Sequence, residues 1–139
     1  MVEFFKLFLS DLISNQKFTD LNVWKHARQL KLEVYELVKG FPKEEKYELA
    51  NQIIRCVRSI AANIAEGHGS FTYKDQVHFC IQARGSLSET LNHLIDAFDC
   101  GYINSDTLKR FEEQITSVAK LLNGYITFLR NAASQQPKQ

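Results

Sequence analysis

The fold is decided by a stretch of seventeen residues, NQIIRCVRSIAANIAEG, that runs from Asn51 to Gly67. Apolar side chains recur in it and just before it at steps of one, three and four residues. That spacing places them on one side of a helix. The apolar stripe consists of Leu49, Ala50, Ile53, Val57, Ile60, Ala61 and Ile64. It predicts a helix that buries this face in a core.

A second stripe on the same helix is polar. Its members are Gln52, Arg55, Ser59, Asn63 and Glu66, at spacings of three, four, four and three residues. One cation, one carboxylate, two amides and a hydroxyl have enough donors and acceptors to satisfy each other by hydrogen bonding. We therefore expect this polar stripe to meet the next helix or another subunit. The alternative is an ordinary solvated face without a partner.

Composition indicates one soluble domain. The chain has 139 residues, 45% of them hydrophobic and 24% charged, and a chain of this length folds without disulfides or metal. The net charge of +1 does not by itself indicate a nucleic-acid partner. Three widely spaced cysteines, Cys56, Cys80 and Cys100, fit free thiols in a reducing compartment. No run reaches transmembrane length and no secretory signal is recognisable, so we expect a cytoplasmic protein without a membrane partner.

The first 17 residues form a separate, phenylalanine-rich extension. Its apolar side chains have helical spacing, and Lys6, Ser10, Asp11 and Ser14 lie opposite them. We expect an amphipathic helix that docks on its own bundle, on a partner or on a membrane surface. A single lysine makes the membrane the weakest alternative. The apolar residues are Phe4, Phe5, Phe8, Leu9, Leu12 and Ile13.

Periodicity and capping residues place the starts of four helices, one of them the helix described above. Helix starts are predicted near Asp20 or Asn22, at Lys43–Lys46, at Thr72, and at Asn104 or Ser105. The second helix is predicted to end at Glu66, before a break from Gly67 to Ser70. The last helix has the most regular pattern, which calls for a long helical neighbour. That pattern consists of Leu108, Phe111, Ile115, Val118, Leu122, Tyr125 and Leu129.

The third helix carries a second polar stripe and a glycine in its interior. Because a glycine there costs about 1 kcal/mol relative to alanine, we expect Gly85 to mark a close approach between helices. The stripe consists of Gln82, Ser86, Glu89 and His93. A network that fixes helix pairing or a subunit contact is predicted from Arg55, Asn63 and Glu66 on one helix and Arg84, Ser86 and Glu89 on the next.

These elements predict an all-α protein, an antiparallel up-down four-helix bundle over residues 18–131. Residues 1–17 form the N-terminal extension, and residues 132–139, which are small and polar, are predicted to be a disordered tail. Nothing in the chain has the alternation of a strand.

The sequence shows little that predicts catalysis. There is no Glu-x-x-His motif for a di-iron site, and Glu89 with His93 supplies only two ligands. Cys80 and His78 are two residues apart and would point in different directions on a helix. His68 is interpreted as a polar turn residue. We therefore expect no catalytic residues, no metal and no cofactor, and a protein that is not an enzyme.

Basic residues are scattered along the chain. A ring of identical subunits would repeat them and create a basic collar. The candidate nucleic-acid contacts are Arg58, Lys109, Arg110, Lys120 and Arg130.

Several motifs together resemble a known family. They are Trp24 in LNVWKHARQL, Phe41-Pro42, the NIAEG element that ends at Gly67, and ARGSL from Ala83 to Leu87. From about Phe18 to Leu129 the chain is similar to the four-helix bundle proteins encoded in intervening sequences of bacterial 23S rRNA genes, once labelled S23 ribosomal proteins. The resemblance implies a homopentameric ring. It also implies kinship with accessory proteins of diversity-generating retroelements, and hence a role with RNA or with a nucleic-acid-processing protein.

Two functions are therefore expected. The first is a non-catalytic oligomeric protein that binds RNA or a ribonucleoprotein. The second is a protein-interaction or retroelement accessory scaffold without direct RNA contact. Salt-dependent RNA binding separates them, because phosphate contacts lose affinity steeply as salt rises.

Overall fold

The computed structural model describes residues 16–136 as four long helices joined by short connections. These are α1 (Asn22–Val38), α2 (Leu49–His68), α3 (Tyr73–Asp99) and α4 (Ser105–Ser134), with short 3-10 turns at Phe18–Asp20 and Lys43–Glu45. No strand occurs in the described part, and the predicted all-α four-helix bundle is confirmed. Residues 1–15, most of the predicted N-terminal extension, and residues 137–139 lie outside the described residues.

The helices pack in chain order around one core. The contact between α2 and α3 is the most extensive of those between neighbouring long helices, and that between α1 and α4 is the least extensive. The predicted apolar stripe of α2 is buried from Ala50 to Ile64, with Leu49 half-buried. On α4 the predicted positions are buried except Leu108 and Tyr125, which are half-buried. Ile126, which the strict three-and-four spacing omitted, is buried as well.

Two predicted helix caps are present. The Thr72 hydroxyl accepts a hydrogen bond from the backbone N–H of Asp75 at 3.1 Å, at the start of α3. At the start of α4, the Asn104 side-chain oxygen accepts from the backbone N–H of Thr107 at 2.8 Å. Each satisfies a backbone donor that the first turn of a helix leaves without an intrahelical partner.

The predicted side-chain cap of α1 is wrong. Leu21 occupies the cap position, and its side chain has no hydrogen-bonding group to offer. The Asp20 carboxylate instead accepts from the backbone N–H of Lys17 at 3.2 Å and so stabilises the preceding turn. Asn22, the other predicted cap, is the first residue of the helix itself.

Helix α2 begins later than predicted. Lys43–Glu45 form a separate turn, and the helix starts at Leu49. One Glu45 oxygen accepts from the backbone N–H of Leu49 at 3.0 Å, and the other accepts from the Tyr102 hydroxyl at 2.9 Å. Glu45 therefore ties the start of α2 to the α3–α4 connection.

The predicted break at Gly67 begins two residues too early, and Gly85 makes no close contact with the described part of the chain. Helix α2 continues to His68 with Gly67 buried inside it. A Cβ on Gly67 would lie 2.9 Å from the Cβ of Phe79 and 3.3 Å from the carbonyl oxygen of Gln76, both on α3. A Cβ on Gly85 would meet no described atom within 4 Å. The glycine that permits close packing is therefore the one near the helix end.

Helix α4 continues to Ser134, three residues into the segment 132–139 that was predicted to be a disordered tail.

Over residues 16–136, none of the helices combines the length and the apolar character needed to cross a membrane.

The Tyr102–Glu45 hydrogen bond predicts a pH effect. This bond raises the pKa of Tyr102 from 10.0 to about 12. The unfolded chain therefore loses the phenolic proton first as pH rises, so stability is lost between these two values. We expect the urea midpoint to fall across this interval, and to fall less steeply in the Tyr102→Phe variant. Equal slopes for the two proteins would contradict the assignment.

Candidate nucleic-acid interface

The two polar stripes meet at one pair of side chains. The hydroxyls of Ser59 on α2 and Ser86 on α3 are hydrogen-bonded to each other. Asn63 turns back along its own helix, and its amide donates to the carbonyl oxygen of Ser59 at 2.8 Å. Within the chain, the predicted contact between the stripes is therefore made by small hydroxyl groups.

The charged residues of the stripes and of the predicted network lie outside this contact. Arg84 donates to the side-chain oxygen of Asn123 on α4 at 3.2 Å. Glu89 lies 3.5 Å from His93 on its own helix. Gln52, Arg55 and Glu66 are exposed, and across residues 16–136 their side chains form no hydrogen bond or ion pair.

Within residues 16–136, the network predicted around Arg55 and Glu66 is therefore not formed. The subunit contact that the sequence offered as the alternative stays a prediction.

Sequence reasoning missed a buried polar contact below the serine pair. Thr90 on α3 is fully buried, and its hydroxyl donates to the carbonyl oxygen of Ser86 at 2.7 Å. The Cys56 sulfur lies 3.2 Å from the same hydroxyl. Burial raises the pKa of the Cys56 thiol, which keeps it protonated at neutral pH. The available signal was the position of Thr90, four residues after Ser86 on the same helix face.

The predicted basic residues of α4 do not form a positive surface. Lys109 and Lys120 share a shallow cavity of about 500 Å³ with Glu112 and Glu113. Two carboxylates beside two ammonium groups leave no net charge there.

The other two predicted cations of α4, Arg110 and Arg130, do not belong to a basic patch either. Arg110 lies 3.3 Å from a Glu33 oxygen, and its guanidinium stands 4.4 Å from the Phe111 ring centroid. Arg130 is exposed near the far end of the helix.

Arg58, the remaining predicted contact, borders a cationic groove of about 470 Å³ between α1 and α2. The lining contains no carboxylate among the described residues. It combines Tyr35, Val38, Phe41, Pro42, Ala50 and Ile54 with the cations Lys39, Lys43, Lys46 and Arg58. We call this surface the basic groove.

Local folding explains why the lysines converge. Helix α1 ends at Val38, and the chain turns at Phe41. Phe41 is buried, and its ring centroid lies 5.5 Å from that of Tyr102. The following 3-10 turn, Lys43–Glu45, sends the chain back toward α2. The Glu45 carboxylate is held by Tyr102 and the α2 N-terminus, and it is not part of the groove lining.

The opposite wall of the basic groove is ordered by an arginine–tyrosine contact. The Arg58 Nε donates to the Tyr35 hydroxyl at 2.6 Å, and the guanidinium carbon lies 5.4 Å from the ring centroid. Lys39 has one exposed ion pair, 2.7 Å from Glu36, and such a pair contributes little because water screens it. The groove thus offers a fixed guanidinium and three lysines to an anion.

Sequence reasoning found only one of these four cations. Lys39, Lys43 and Lys46 follow each other at spacings of four and three residues, and this spacing was the available signal. It was not recognised because Pro42 and the turn interrupt the helix, so the three residues do not belong to one periodic stripe.

Cys80 and His78, the pair considered for catalysis, lie in different environments. Cys80 is buried, and burial raises the pKa of its thiol to about 11. His78 is exposed, with its Nε2 atom 3.1 Å from the Gln82 amide nitrogen. Within the described part of the chain, no group of three His, Cys, Asp or Glu side chains is placed to hold a metal ion.

The fold and the groove define a small helical-bundle protein with a cationic surface at one end. The chain belongs to the family of 23S rRNA-intervening sequence proteins, whose family model matches residues 19–124. A solved protein of unknown function from the S23 ribosomal protein family of Bacteroides thetaiotaomicron has the same fold, with a TM-score of 0.70 and 24% identity. The match covers 76% of this chain and 95% of that one. No protein with a curated description matches.

Proposed function

We propose that this chain is a non-catalytic RNA-binding protein of the cytoplasm that holds single-stranded RNA in the basic groove. The observation that carries the proposal is the convergence of Lys39, Lys43, Lys46 and Arg58 on a lining without a carboxylate. Lysine and arginine contacts to phosphate supply most of the sequence-independent affinity of proteins for nucleic acid. Three free cysteine thiols fit the reducing cytoplasm.

An exposed aromatic ring beside the groove favours a single strand over a duplex. Tyr47 is 82% exposed, and the Lys46 ammonium lies 5.5 Å from its ring centroid. Proteins that bind single strands combine a cationic groove with rings on which bases stack. Bases in a duplex are already stacked and would leave this ring unused. The family description, which refers to 23S rRNA, supports RNA as the nucleic acid.

The test is a salt titration of binding to a fluorescent single-stranded RNA of about 12 nucleotides, followed by anisotropy. Three or four phosphate contacts predict a slope of log K against log salt of about −2 to −3. Affinity should then fall about 20- to 50-fold between about 50 and 200 mM salt. A duplex of the same length is the matched control and should bind more weakly. No binding at the lowest salt, or salt-independent binding, would refute the proposal.

A second candidate is a protein-interaction scaffold without direct RNA contact, such as an oligomeric or retroelement accessory subunit. One observation favours it: the outer face of α3 exposes Ile81, Ile95 and Phe98 and carries Gly85 in open space. An exposed glycine with apolar neighbours permits the close approach of another helix. A homo-oligomer, with the pentameric ring implied by the resemblance, would cover this face. This candidate predicts an assembled native mass with no RNA affinity in the same titration.

A further inference from the structure

A second cavity lies at the end of the bundle opposite the basic groove. It has a volume of about 450 Å³ and is bordered by the α2–α3 connection, the start of α1 and the end of α4. Its walls include Gln16, Leu21, Phe71, Tyr73, Tyr125 and Phe128. We call it the terminal cavity.

Two phenylalanine rings in the walls of the terminal cavity are exposed to solvent. Phe71 is fully exposed and Phe128 is 40% exposed. Exposed apolar area costs about 25 cal/mol per Å² relative to burial, so two phenyl rings at one cavity indicate an occupant with apolar side chains. Leu21 and Leu129 are buried behind them and continue the apolar floor.

The first described residue of the chain is part of the wall of the terminal cavity. Gln16 lines the terminal cavity, and the turn Phe18–Asp20 follows it. The turn is held in place because the Phe18 ring packs edge-on against Trp24, with centroids 5.3 Å apart. The described part of the chain therefore begins at the mouth of the cavity.

The sequence of residues 1–15 supplies apolar side chains of the kind that would cover the exposed rings of the cavity. Six apolar side chains, three of them phenylalanines, share one face of the helical pattern, and the charged residues Lys6 and Asp11 lie opposite. Since the segment is joined directly to the cavity wall, its effective concentration there is in the millimolar range or above. A second copy of the chain would have to compete against that concentration.

We propose that residues 1–15 dock their phenylalanine-rich face in the terminal cavity of the same chain. In this arrangement the segment covers the exposed rings of Phe71 and Phe128. The occupant is a part of this chain and not a partner, because the segment is covalently continuous with the cavity wall and its sequence is rich in apolar side chains. The inference is independent of RNA binding, which involves the other end of the molecule.

Photo-cross-linking in the full chain tests the docking directly. p-Benzoylphenylalanine replaces Phe8, the chain is irradiated, and cross-linked peptides are identified by mass spectrometry from a mixture of 15N-labelled and unlabelled protein. We expect cross-links to peptides that contain Phe71 or Phe128, within single chains. Mixed-isotope cross-links would mean that a second copy supplies the segment. Cross-links elsewhere, or none, would mean that the cavity has another occupant. Either result overturns the proposal.

A matched pair of substitutions gives a second, energetic readout. Phe128 and Phe98 are 40% and 39% exposed, but Phe98 lies at the other end of α3, away from the terminal cavity. Docking predicts that Phe128→Ser lowers Tm by about 3 to 6 °C more than Phe98→Ser does.

That difference should vanish when Phe4, Phe5 and Phe8 are all replaced by Ser, because the two sets of changes remove the same contact. Equal losses of Tm at Phe128 and Phe98 in the unaltered chain would overturn the proposal. A difference that persists in the triple background would overturn it as well.

Discussion

The triple variant Lys39→Glu, Lys43→Glu and Lys46→Glu is expected to bind single-stranded RNA about 100-fold more weakly than the unaltered chain at about 0.1 M salt. Each phosphate contact to a single strand releases about 0.7 of a counterion, which is worth about fivefold in affinity at this salt concentration. Three lost contacts account for about 100-fold, and the introduced carboxylates add repulsion. The residual salt slope should fall to about −0.7, the value for Arg58 alone.

A matched control separates the basic groove from net charge. The variant Lys109→Glu, Lys120→Glu and Arg130→Glu changes the charge by the same amount, but on the exposed face of α4. We expect its affinity to change by less than about threefold, because charges beyond a Debye length of about 10 Å are largely screened. Equal losses in the two variants would show that RNA is attracted by overall charge and not by the groove.

Neither triple substitution involves buried side chains. All six positions are exposed, so thermal melting should stay close to that of the unaltered protein. A large drop in Tm for the groove variant would mean that the lost affinity reports unfolding. The single variant Lys43→Glu, with a loss of about fivefold, would then replace it as the decisive measurement.

The Gly67→Ala variant is expected to lose about 1 to 3 kcal/mol of unfolding free energy, the usual cost of overpacking. The new methyl group would lie 2.9 Å from the Cβ of Phe79 and 3.3 Å from the Gln76 carbonyl oxygen. Neither atom is at the end of a flexible side chain, so α2 and α3 must separate. Alanine favours a helix by about 1 kcal/mol over glycine, and the contact has to outweigh that gain.

Gly85→Ala is the matched control, because the same substitution is made inside a helix but without a close neighbour. Both glycines lie inside helices, but a Cβ on Gly85 meets no described atom within 4 Å. We expect a gain of up to about 1 kcal/mol, measured by urea denaturation of both variants. A gain at both positions would contradict the close contact at Gly67. If Gly85→Ala reduces the native mass of an assembled form, the outer face of α3 is a subunit contact.

Local information in the sequence was sufficient for the bundle itself. The apolar periodicity of α2 and α4 identifies the buried faces, because a helix repeats every 3.6 residues. Thr72 and Asn104 cap the helices they precede, since capping depends on residues only three positions apart. The serine contact also followed from spacing, because Ser59 and Ser86 lie on the polar stripes of two adjacent helices.

The tertiary structure alone decided which glycine allows close packing and where positive charge collects. Gly67 and Gly85 both lie inside helices, and only the packing of α2 against α3 requires glycine at Gly67. Lys39 and Arg58 are nineteen residues apart and share a groove because α1 and α2 are antiparallel neighbours. Spacing along a chain specifies which residues share a helix face, but distances between helices depend on how complete side chains fit together.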